Sequence, residues 1–157
     1  MSRYGGGHGG GGAPPRPAVT SGPPLFDPAK SEVQLLDDLA EKQADSLEEI
    51  NSSQLRRFFG EVKEHSRRLE ALAAGGSDED AQKIYARDIE PLFKMMRSKV
   101  AYASRMRGSA SVPASFQAFL DHGIRKVGNV SQFRLFVRHF EAVVGFLYGK
   151  GKVSRGG

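Results

Sequence analysis

Cysteine is absent from the chain, which excludes disulfides, thiolate metal sites and a thiol nucleophile. No run approaches the roughly 18 apolar residues of a membrane span. The N-terminus also lacks the apolar core of a signal peptide, so a cytoplasmic protein with no membrane partner is expected. There is no glycine-rich phosphate loop and no GxSxG turn. Nothing reads as a hairpin or an alternating strand. With 157 residues the chain has room for one domain and not for two.

His65, His122 and His139 fall on three different expected helices, without ligand-like spacing to one another or to acids, and read as surface or boundary histidines. The serines cluster at caps and loops. No enzymatic activity, cofactor, metal or small-molecule substrate is therefore expected.

What is present is charge, unevenly spread. Residues 1–26 carry Arg3 and Arg16 and no acid, a balance of +2. Residues 27–50 hold eight acids against Lys30 and Lys42, giving −6. The other 107 residues carry 19 Lys or Arg against 10 Asp or Glu, giving +9. A small domain at +9 points to a polyanionic partner.

The first 26 residues are low in complexity and dominated by glycine and proline, with almost nothing to bury. They read as a disordered extension reaching to about residue 30, whose loss should not move the thermal midpoint. His8 stands alone there, and Arg3, Tyr4 and Arg16 offer at most weak contacts to RNA. Residues 31–49 read as an acidic amphipathic helix with Val33, Leu36, Ala40 and Leu47 on one side. It could pack on the bundle, dock on a neighbouring protein, or meet the chain's own basic surface.

From residue 51 the apolar spacing is helical. In 52–73 the expected buried stripe is Leu55, Phe58, Phe59, Val62, Leu69 and Leu72, and Gly75 and Gly76 end the helix. Arg56, Gly60, Lys63 and Arg67 share another face. Gly60 either admits a close backbone or ligand, or relieves crowding beside Phe58 and Phe59.

Residues 77–107 form a two-faced segment. Ile89, Leu92, Phe93, Met96, Val100 and Ala103 lie on one face, and Lys83, Arg87, Lys94, Arg97 and Arg105 on the other. Ser77 and Asp80 make a capping signal. Pro91 predicts either a kink or a break into two helices. Lys99 sits on the shoulder of the apolar face, where its stem could snorkel past Met95 and Met96.

A further helix carries Phe116, Phe119, Leu120, Ile124 and Val127 inward. The last is expected to start at a Ser131 cap, with Val130 stapled onto Leu135, and to bury Phe133, Phe136, Val137, Phe140, Val143, Val144 and Leu147. Residues 152–157 read as a flexible tail. The expected fold is all-α, a compact bundle of four to six helices over 51–151 joined by short loops.

Three segments together resemble one family. NSSQLRRFFGEVK at 51–63 is similar to its Ser-Gln-Ile-Arg-Lys-Phe helix start, and LFKMMRSKVAYASRM at 92–106 to its lysine, Tyr-Ala and arginine pattern, here Lys99, Tyr102, Ala103 and Arg105. FRLFVRHFEAVVGFLYGKG at 133–151 is similar to its Phe-Glu-Ala ending, with Gly145 and Phe146 departing from the usual alanine and tyrosine. The family is the small backbone subunit of type III-A CRISPR effector complexes, the Csm complexes.

The resemblance implies a small helical protein that stacks in several copies beside the other effector-complex subunits. It would line the groove where guide RNA pairs with target RNA, touching backbone rather than bases and leaving catalysis to its neighbours. On that basis Arg56, Arg57, Lys99 and Arg105 are candidate RNA contacts, while Lys63, Arg67 and Arg97 join them from helical geometry. The rival readings are a nucleic-acid-binding module outside CRISPR systems and a helical adaptor whose basic face meets an acidic protein.

Overall fold

The computed structural model describes residues 22–155. The Gly/Pro-rich stretch 1–21, with Arg3, Tyr4, His8 and Arg16, lies outside the described residues, as do 156–157. The helices are α1 (Glu32–Leu36), α2 (Asp38–Ser46), α3 (Ser52–Ala73), α4 (Asp78–Ile84), α5 (Glu90–Arg105), α6 (Ala114–Lys126) and α7 (Val130–Gly149). The fold is an all-α bundle. Among the described residues no helix is long and apolar enough to cross a membrane.

The core is aromatic. Phe58, Phe93, Phe116, Phe119, Phe133, Phe136 and Phe140 are fully buried, drawn from α3, α5, α6 and α7 at the spacing their periodicity predicts. Gly123 serves this packing. A Cβ built there would collide with the Phe136 ring, so α6 accepts a poor helix former where α7 presses against it.

The junction at Pro91 takes neither of the expected forms in full. A π turn, Tyr85–Ile89, joins α4 to α5, with the Glu90 N–H donating to the Tyr85 carbonyl. The turn inserts an extra residue just before Pro91, where the ring would otherwise press on the Arg87 carbonyl and where no N–H is available. Pro91 then sits in the first turn of α5, and Ser77 with Asp80 forms the expected capping box at α4.

Several expectations are corrected. Phe26, counted with the extension, is fully buried, its ring edge-on to Phe136 at 5.2 Å. The acidic segment packs on the bundle as two short helices lying against α7, with Leu35, Ala40, Ala44 and Leu47 buried, while Val33 is 75% exposed. It also meets basic side chains of the same chain: Glu32 pairs with Arg138, and Glu41 and Asp45 with Lys150. Two of its three expected fates are therefore combined.

The tail is anchored over its described part. Val153–Ser154 (β2) pairs in parallel with Ile50–Asn51 (β1), Ile50 opposite Val153, and Lys152 Nζ donates to the carbonyls of Ala44, Asp45 and Leu47 at the C-terminal end of α2. Asn129, not Ser131, caps α7, its side chain accepting from the Gln132 N–H. Leu72 and Leu92, assigned to buried stripes, are 48% and 41% exposed.

The histidines are corrected most. His65 takes the interior position between Val62 and Leu69, and His139 is fully buried in α7. His139 Nδ1–H donates to the Leu35 carbonyl at 2.6 Å, leaving a buried Nε2 without a partner, while His122 Nε2 bonds the Phe26 carbonyl at 2.8 Å. Two histidines thus tie the N-terminal arm to α6 and α7.

Burial pulls the His139 pKa below the ordinary 6.5, only partly opposed by the Leu35 carbonyl. Burial also lowers that of His65, with Glu61 opposing and Lys99 reinforcing the shift. Both rings take up a proton less readily in the native state than in the unfolded chain, which is therefore protonated first as pH falls. Their stabilisation is complete above pH 6.5 and is lost as pH falls from there through the lowered native values. Each contributes a slope of up to about 1.4 kcal/mol per pH unit. Urea midpoints at pH 7.5 and 5.5 are expected to show the loss, and His139→Gln to flatten it; a flat profile in the native protein would contradict the burial of both rings.

Candidate nucleic-acid interface

The seven candidate residues sit on α3 and α5, which run antiparallel. Lys99 Nζ meets Glu61 Oε1 at 2.6 Å midway along them, and Gln54 at the start of α3 donates to the Ser109 carbonyl just beyond α5. The first turns of α3 and the last turn of α5 therefore share one end of the bundle.

Arg56, Arg57 and Arg105 lie at that end, all exposed, and none forms an ion pair among the described residues. The Arg57 guanidinium rests 5.0 Å above the centre of the Phe58 ring, a cation–π contact that fixes its stem. Arg107, two residues beyond Arg105, is a further exposed cation there without an ion pair. The signal for it in the sequence is the repeat of arginine in RMR, but it lies past the helical periodicity that selected the others.

The other four candidates each carry an acidic partner. Lys63 approaches Glu141 of α7 at 3.5 Å, Arg67 bonds Glu64 one turn earlier, Arg97 donates to Asp121 of α6 at 2.8 Å, and Lys99 holds Glu61. Lys99, on the shoulder of the core, thus has its ammonium held by a carboxylate from α3. Glu61 is shared: its Oε1 also stands 3.8 Å from His65 Nε2. The line Arg56, Gly60, Lys63 and Arg67 holds no acid of its own, yet Glu64 and Glu141 lean onto it.

Gly60 is exposed, and an added Cβ would meet nothing within 4 Å beyond its chain neighbours, so crowding against Phe58 does not account for it. Lys94 is the most committed cation of the α5 face. Its ammonium donates to the Ile124 and Val127 carbonyls at the end of α6, and burial draws its pKa down. Among the described residues no group of three or more His, Asp or Glu could hold a metal ion.

The fold and this surface define a class: a small all-α protein with an aromatic core, whose polar chemistry is concentrated in arginines and lysines along two antiparallel helices. The family model described as Csm2 Type III-A matches residues 30–150. The chain belongs to that family, the small subunit of the type III-A Csm complex. The match starts within the N-terminal arm and so takes in α1 and α2 as well as the larger helices. No curated protein and no solved structure matches the chain.

Proposed function

We propose that the protein is a non-catalytic small subunit of a type III-A CRISPR RNA-guided effector complex acting in antiviral defence in the cytoplasm. In this reading further copies stack along the complex beside the other subunits, and their basic surface holds the phosphate backbone of the guide RNA–target RNA pair. The observation that carries the RNA part is the end of the α3–α5 pair, where Arg56, Arg57, Arg105 and Arg107 stand exposed without carboxylate partners. Cations left unneutralised by their own chain are available to phosphate oxygens, and contacts to backbone carry no sequence preference.

A single copy with two or three phosphate contacts binds in the millimolar to high micromolar range, and adjacent copies raise this through effective concentration. The test is target-RNA capture by assembled complexes carrying Arg56→Ala or Arg105→Ala in every copy, over a salt series and with two unrelated matched targets. Weaker capture, the same proportional loss on both targets and a shallower salt slope are expected, since each lost phosphate contact removes about 0.7–0.9 from the slope. Lys99→Ala should instead lower the thermal midpoint, because it strips the half-buried Glu61 of its partner. Losses that differ between targets would indicate base readout. Failed assembly with intact folding would move these arginines to a protein interface.

A further inference from the structure

On the side of α5 that meets α6 lies a groove of about 540 Å³, away from the arginine cluster at the start of α3. Along α5 it is lined by Lys94, Met95, Arg97, Ser98 and Ala101. Along α6 it is lined by Gln117, Asp121 and Arg125, which follow one another at intervals of four. The two small residues keep the groove open between the charged ones. Asp121 is its one acid.

Asp121 holds two arginines at once. Its Oδ1 accepts from Arg97 Nε at 2.8 Å and its Oδ2 from Arg125 Nε at 2.7 Å. Burial would raise the Asp121 pKa, but the two guanidinium hydrogen bonds outweigh it and hold the carboxyl ionised, below its ordinary range. Each guanidinium spends only its Nε–H on this bond, and neither makes another hydrogen bond among the described residues. Their terminal N–H groups remain as donors, on side chains 37% exposed at Arg97 and 61% at Arg125.

The charge balance separates this cluster from the other ion pairs of the surface. Lys63 with Glu141, Arg67 with Glu64 and Lys99 with Glu61 are pairs of one cation and one anion. Arg97, Asp121 and Arg125 keep a net positive charge, while Lys94 beside them is offset by Glu90 and has its own donors fixed on the end of α6. A carboxylate whose geometry orients two guanidiniums lowers the entropy lost when they close on an oxyanion.

We propose that this groove seats the phosphodiester backbone of an RNA strand, with Arg97 and Arg125, yoked by Asp121, donating to its phosphate oxygens. The proposal rests on the reading of the protein as a subunit of an RNA-guided complex. It extends that surface from the α3 end to the α6 side and adds Arg125 and Asp121 to it. Asp121 is a positioning residue that touches no phosphate itself.

The experiment uses the whole assembled complex with Arg125→Gln in every copy. Arg125 is mostly exposed, and its loss leaves the Arg97–Asp121 pair and the core in place. Target-RNA affinity is measured over a salt series, and guide RNA is extracted and counted per complex, which tells the two strands apart. The expected result is a loss of about tenfold in target affinity or a matching loss of guide. A salt slope shallower by about 0.7–0.9 for each copy in contact should accompany it.

Arg125→Lys keeps the charge but not the fork, and should retain part of the binding; it carries the comparison if the glutamine chain melts early. If the native complex captures RNA and both variants equal it in affinity, slope and guide content, the groove is not an RNA site and the wider reading stands. If the glutamine chain melts normally but blocks assembly, the groove meets an acidic protein surface and the proposal is overturned. If the native complex itself shows no salt-dependent RNA capture, the wider reading fails and takes this one with it.

Discussion

Replacing Phe140 with alanine is expected to cost about 3–5 kcal/mol, by lost burial and by the cavity left behind. The ring is fully buried in the middle of α7. It stands edge-on to Phe59 at 5.1 Å, tilted against Phe119 at 5.3 Å and Phe116 at 6.1 Å, and stacked on Phe136 at 5.9 Å. It is therefore where the rings of α3 and α6 meet α7, and these rigid neighbouring rings cannot reshape themselves to refill the space. Urea unfolding of the free chain should show a lower midpoint with an unchanged slope in denaturant. A loss below about 1 kcal/mol would mean that the three helices do not converge on this ring.

That ring was legible in the sequence because its reason for being buried is periodic. Phe133, Phe136 and Phe140 recur at intervals that return to one face of a helix, and so do Phe116, Phe119 and Ile124. Apolar periodicity failed at three kinds of place. At stripe edges, Val33, Leu72 and Leu92 are apolar but sit at angles where no other element comes to cover them. At His65 and His139 the face is interrupted by polar residues, which pattern reading sends outward although a backbone carbonyl from α1 satisfies one of them. At the tail, Val153–Ser154 gains order from a partner strand a hundred residues away, which no local pattern reports.

The basic surface was legible in a weaker sense. Spacing told which cations share a face, but not which are already neutralised, because the neutralising acids come from elsewhere in the fold. Asp121 reaches Arg97 from α6 and Glu141 reaches Lys63 from α7, separations that helical periodicity cannot see. The same distance hid Arg125, whose partner Asp121 is a neighbour on its own helix but whose relation to Arg97 exists only once α5 and α6 pack. Arg56, Arg57 and Arg105 were selected by motif, and the fold leaves them exposed without ion pairs among the described residues.

Phe26→Ala is expected to cost about as much as the change at Phe140, roughly 3–5 kcal/mol, although Phe26 belongs to no helix. Its ring is 1% exposed and lies against Phe136 at 5.2 Å and His139 at 5.4 Å. Its backbone is held as well: the Leu25 N–H donates to Gln43 Oε1 at 2.8 Å, and the Phe26 carbonyl bonds His122. With the ring gone, the pocket between Phe136 and His139 would either stay empty or admit water beside the unpartnered His139 Nε2. Both outcomes weaken the seat of α1, whose Leu35 carbonyl depends on the same histidine.

Hydrogen exchange should therefore show local opening of α1 and α2, while the slowest amides of α3 and α5 speed up only by as much as the global stability measured in urea falls. His122→Ala, which removes only the bond to the carbonyl, should cost less than the loss of the ring, because the aromatic burial remains. If Phe26→Ala leaves both stability and exchange of α1 and α2 unchanged, the arm is held by its other buried side chains, Leu35, Ala40, Ala44 and Leu47, with the ion pairs of Glu32, Glu41 and Asp45, and the aromatic anchor is an idle contact.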